Sequence, residues 1–218
     1  MIAFLKTPFS FILFSLSGAV IIVIGSLIAG IAYRGKEGER YSPFNHFISE
    51  LGEVGVSRLA WVFNLCLILT GLCLMMASFS LGLMLPGILA KLAMAAGVIC
   101  AISLSLVGIF PMNRLKPHGY AAMTYFRAGL AMVILFSLAF VFQPGTRPVL
   151  SRWLGLAGLP PIMAFSAFLI LIRKAYRHRD DPLGTEDVAR PKAWDMAIVE
   201  WLIFVTILFW YLSILIGL

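Results

Sequence analysis

The sequence predicts an all-α polytopic membrane protein: a bundle of about six transmembrane helices joined by short extra-membrane loops. Composition is the first observation behind this. Of 218 residues, 61% are hydrophobic and only 12% charged, against about 45–50% and about 25% in ordinary soluble domains. Mean hydropathy is +0.98. The second observation is the spacing of the apolar residues. They fall into six stretches, at 10–33, 59–82, 86–111, 120–142, 153–172 and 195–217. Each is close to the roughly 20 residues that cross about 30 Å of hydrocarbon. No repeat, low-complexity tract or separate soluble region interrupts them, so the chain reads as a single six-helix domain, 1–218.

The first stretch follows a lone Lys6, as a signal peptide would. Its apolar run exceeds the roughly 7–15 residues of a signal core, so it reads as a retained helix. Spans two and three are joined by a tight turn at Leu85-Pro86-Gly87, and spans four and five by the segment Gln143 to Pro148. Proline and glycine end helices there, by removing a donor and by freeing the backbone. The remaining connections, 34–58, 112–119 and 173–194, are longer and polar.

The formal charge of +7 lies at span ends, where basic residues set orientation. No soluble segment interleaves bases with aromatics, so no nucleic-acid partner is expected. Loops one, three and five hold twelve of the 17 basic residues; Lys6, Lys91, Arg147 and Arg152 mark the other face, and Arg127 lies inside span four. The positive-inside rule puts those three loops in the cytoplasm and both termini outside. Most of the bias comes from loop five, with Arg173, Lys174, Arg177, Arg179, Arg190 and Lys192. Its run from Arg173 to Arg179 would also attract anionic lipid.

Small residues recur at helical spacing: Ala93, Gly97, Ala101 and Ser105 in span three, and Ser15, Gly18 and Gly25 in span one. Span two sets Ser57, Trp61, Asn64, Ile68 and Gly71 along one face. Such stripes let helix backbones approach closely. They serve packing within the bundle first, and contact with a partner membrane protein or a second copy otherwise. Cys66, Cys73 and Cys100 lie deep in apolar runs and read as small buried hydrophobes.

All ten acids and all three histidines fall on the side of loops one, three and five. Any acid–base or metal chemistry is therefore confined to one face. Arg127 lies about two turns into span four, and Glu200 more than a turn into span six beyond Asp195. Charges in the apolar zone are costly unless paired or wetted. Three readings fit them: an Arg127–Glu200 ion pair that fixes the helices, an anion holder at Arg127, or a rim residue snorkelling to water. For His46, Glu50 and His118 the alternatives are a capped loop, a general acid–base group or metal ligation. His46 and Glu50 would share a face if helical. No HExxH, GxSxG, P-loop or CxxC accompanies them, and no metal site is assigned. The residues name no cofactor.

Phe47-Ile48-Ser49-Glu50-Leu51-Gly52, then Asn64 and Gly71, then Gly108-Ile109-Phe110-Pro111 and His118, resemble a prokaryotic six-span membrane family of unknown function, domain of unknown function nine-nine-eight. The layout is more distantly similar to the DRAM and Sfk-type proteins and their relatives in GPI-anchor lipid remodelling. Those carry an Ile-Ser-Asp element in the first long loop, where this chain has Glu50. The resemblance implies a six-helix bundle and a role touching lipids, and it supplies no catalytic mechanism.

The expectation is a lipid-handling protein of the plasma or inner membrane, acting on lipid head groups or acyl chains, or binding lipid. Glu50 and His118 are the candidate catalytic pair, with His46, Asn64, Arg127, Glu200 and Asp195 as substrate-binding groups. Membrane lipids are the expected partners. The alternative is a non-enzymatic transporter or a scaffold packing against partner spans. A transporter calls for a polar path through the midplane, and the spans here are nearly bare of charge at that depth.

Overall fold

The computed structural model describes residues 2–144, 148–178 and 191–218. Its helices are α1 (Ile2–Leu5), α2 (Pro8–Ala32), α3 (Ala60–Met84), α4 (Ile88–Ile109), α5 (Leu115–Val141), α6 (Leu154–Ala157), α7 (Leu159–His178) and α8 (Asp195–Ile216). The described residues contain no strand. Six helical segments are long and apolar enough to cross a membrane: α2, α3, α4, α5, the stretch from α6 through α7, and α8. The protein is a multi-pass membrane protein. Arg147, Arg179, Asp180, Asp181, Glu186, Asp187 and Arg190 lie outside the described residues, and with them much of the loop-five charge.

Local chemistry sets the helix ends. Thr7 caps α2, its hydroxyl accepting the Ser10 amide at 3.2 Å, and Pro8 follows at the first helical position, where its missing donor is not needed. Gly87, at φ +90, turns the chain between α3 and α4. One boundary corrects the expected loop three. Pro117 sits in the first turn of α5, where proline is tolerated, so His118 rides on the helix rather than in a loop.

The long helices pack as successive neighbours, α2 on α3, α3 on α4, α4 on α5, α5 on α7 and α7 on α8. The circuit closes weakly, because α2 and α8 meet over only a short stretch. Leu27, Ile170 and Val205 face outward, as lipid permits. Polar side chains turn inward instead. Ser10 and Ser80 share a 2.7 Å hydrogen bond, and Thr70 and Ser105 donate across helices to the carbonyls of Gly18 and Ile68. Lipid is as apolar as leucine, so close packing and such hydrogen bonds hold the helices together.

The small-residue stripes serve that packing. A Cβ at Gly71 would stand 2.6 Å from the Ala101 carbonyl oxygen and 2.9 Å from the Ser105 amide. Gly18 and Gly25 receive Cys73 and Cys66 in the same way, and all three cysteines are free. Trp61 departs from its stripe and is 66% exposed. Two turns are tied off locally. Lys91 donates to the Gly82 carbonyl at 2.6 Å, and the buried Gln143 amide spans Phe140, Val149 and Leu150.

Gly71→Val forces side-chain atoms against backbone that cannot yield. It should destabilise the protein by about 1–3 kcal/mol or more, read as an earlier thermal melt in detergent. Gly119→Ala, where an added Cβ meets nothing within 4 Å, should leave the melt unchanged or slightly raised.

Candidate functional site

Loop one folds back into the bundle. Residues Ile48–Gly52 form a 3-10 turn in which Glu50, Leu51 and Gly52 are buried. Phe47 packs edge-on against Trp194, ring centroids 4.7 Å apart. Buried amides must find acceptors, and two carboxylates provide them. Glu50 Oε1 accepts the Phe47 N–H at 2.8 Å, and Glu200 Oε2, reaching from α8, accepts the Ile48 N–H at 2.7 Å. Asn64 Nδ2 on α3 donates to the Gly52 carbonyl at 2.9 Å. Gly52 permits that approach, since a Cβ there would collide with the Asn64 side chain. Tyr41 adds a further strap: its hydroxyl donates to the Phe47 carbonyl and accepts from Trp201 Nε1, both at 2.9 Å.

Beneath this plug lies a pocket of about 870 Å³, its open mouth included. It is lined from α2, α3, α4, α5, α8 and the 3-10 turn. Ile48, Ser49, His118 and Glu200 form its polar end. The rest is largely apolar, with Ile22, Leu67, Val107, Phe204 and Leu208 in the walls. A smaller adjoining hollow shares Leu74, Leu104, Tyr125, Ile207 and Tyr211 with it. The pocket underlies the seam where α2 and α8 barely touch. Phe11 stacks on Tyr211 at one end of the seam, centroids 6.2 Å apart, and the Glu200–Ile48 bond closes the other.

His118 is buried, and its Nδ1 lies 2.8 Å from the Phe110 carbonyl oxygen. A carbonyl only accepts, so Nδ1 carries a proton and the neutral ring's lone pair is at Nε2. That carbonyl belongs to the Gly108–Pro111 element at the end of α4, whose function here is to orient the ring.

The sequence-derived candidates separate into three groups. His118 and Glu200 meet at the pocket. Glu50 and Asn64 are buried beside it, where they hold the turn through backbone hydrogen bonds. His46 is buried between the rings of Tyr33 and Tyr41, with Nε2 3.8 Å from Glu39 Oε1. Arg127 and Asp195 are exposed. Arg127 makes no ion pair with the buried Glu200, so the pairing weighed for them is not formed. Asp195 opens α8, where a negative charge complements the helix dipole. Among the described residues, no three of His, Cys, Asp and Glu cluster closely enough to hold a metal ion. Sequence reading missed Tyr41, Ser49 and Trp201. The signal available was the aromatic next to Glu200 and the tyrosine five residues before His46.

Burial pushes the Tyr41 phenol well above its ordinary value, and the Glu200 charge adds to the effect. The folded state therefore holds this proton above pH of about 10, where the unfolded chain releases it. Stability contributed by Tyr41 is full below that pH and falls as pH rises past it. Tyr41→Phe should lower stability at pH 7 by about 0.5–1.5 kcal/mol and flatten the decline of the melting temperature between about pH 9.5 and 11.

A comparison with curated proteins and one with solved structures each found no match to this chain. A family model does match, over residues 16–217, which takes in α2 from Leu16 onward and the other five spans whole. The chain thus belongs to the family described as "Protein of unknown function (DUF998)".

Proposed function

We propose that this protein handles a lipid: it takes a membrane amphiphile sideways from the bilayer and holds its polar end against His118 and Glu200. One observation carries the reading, a largely apolar pocket inside a membrane bundle with its carboxyl group and its imidazole gathered at one end. Amphiphiles have that same division. The weak α2–α8 seam, with Ala19 and Leu208 half-buried beside the pocket, supports entry from the hydrocarbon rather than from water.

In this reading His118 Nε2 is the proton acceptor at the head group and Glu200 its acidic companion. Glu50, Asn64 and Tyr41 are positioning residues that keep the 3-10 turn over the pocket. The plasma or inner membrane is the proposed location.

Protein extracted in mild detergent should carry co-purified lipid visible by native mass spectrometry. Ala19→Trp, which fills the pocket from α2, should remove that lipid while the folded melt is retained. Equal lipid retention by wild type and Ala19→Trp would sink the proposal.

A further inference from the structure

The pocket's charges say which head group it accepts. Among the described residues, no lysine or arginine lines it; the ionisable side chains they contribute are His118, Glu200, Tyr125 and Tyr211. The basic residues of α5, Lys116 and Arg127, are both exposed. The amides at the start of the 3-10 turn are a natural anion cradle, because unpaired N–H groups at a helix start attract negative charge. Here the chain's own carboxylates take them: Glu50 at Phe47 and Glu200 at Ile48. An anionic head would thus meet Glu200 with no cation among the described lining residues to offset it, and with the Phe47 and Ile48 amides already taken.

Three of the pocket's hydroxyl protons are also committed. Ser15 donates to the Phe11 carbonyl, Thr70 to the Gly18 carbonyl and Ser49 to Met112 Sδ. At the end beneath the 3-10 turn, what faces an incoming head is a carboxyl group and the lone pair of His118. Both are matched by a group that brings its own proton.

We infer that the occupant of this pocket carries an amine or hydroxyl head on an apolar tail, and that phosphate- and carboxylate-headed lipids are refused. The inference rests on the lipid-handling reading above and deepens it. Amine and alcohol share the donor chemistry, and they differ in their need for the Glu200 charge. An ammonium gains the stronger, charge-assisted hydrogen bond.

The test uses four probes with one tail and different heads: hexadecylamine, hexadecanol, hexadecyl phosphate and palmitate. Binding to the full chain in uncharged detergent is measured by native mass spectrometry, with Ala19→Trp as the background. Hexadecylamine or hexadecanol should bind at least about tenfold more tightly than either anionic probe, the difference expected of one hydrogen bond to a charged group. Equal or tighter binding of hexadecyl phosphate or palmitate overturns the head assignment and leaves the lipid pocket standing. No probe binding above the Ala19→Trp background overturns both. Glu200→Gln keeps an acceptor for the Ile48 amide and separates the two heads. Loss of the amine by about tenfold with little change in the alcohol supports an ammonium partner for Glu200. Unchanged amine binding overturns that role, and the wild-type panel stands whatever the variant's stability.

Discussion

The hydrogen bond from the Ile48 amide to Glu200 joins residues 152 positions apart and sets the architecture of the polar end. A loop that enters an apolar bundle brings unsatisfied amides with it, and each would be expensive to leave bare. Glu50 satisfies one from within the loop, and Glu200 satisfies the next from the last helix. The same carboxyl group is therefore a structural acceptor and a wall of the pocket. Asn64, Tyr41 and Trp201 reinforce the joint from three further directions.

Around this joint the protein is organised for a solvent that does not compete for hydrogen bonds. Leucines and isoleucines turn outward, while serines, threonines and glycines lie between helices. Close backbone approach at Gly71 and Gly108 locks α3 to α4, a Cβ at Gly108 falling 2.5 Å from the Asn64 carbonyl oxygen. Asn64 thus sits where α4 and loop one both meet α3. The tight core contrasts with the loose α2–α8 seam, and the pocket occupies the loose side.

The number of spans and their approximate limits were legible, because hydrocarbon thickness fixes how many apolar residues a crossing takes. The family was legible in the motif from Phe47 to Gly52 and in Gly108–Pro111, now placed as the plug and as the partner of His118. The direction in which each charge points was not. A helix apolar around its whole circumference gives no azimuth, so Arg127 and Glu200 looked alike by depth while one is exposed and the other buried. The site pairing was also hidden. Glu50 is spoken for by a backbone amide three residues away, and only the fold brings α8 to His118. His118 itself was read as loop because it lies in the polar stretch 112–119, whereas α5 begins at Leu115 and tolerates Pro117 in its first turn.

The two kinds of joint imply an order of construction. The turns at Lys91 and Gln143 close with neighbours a few residues away, so those hairpins complete as soon as they are made. The plug cannot, because its acceptor at Glu200 is delivered by the final helix. Until α8 arrives, the amide of Ile48 lacks its acceptor and the cavity lacks one wall. The nascent chain must therefore extend through α8 before the pocket has all its walls.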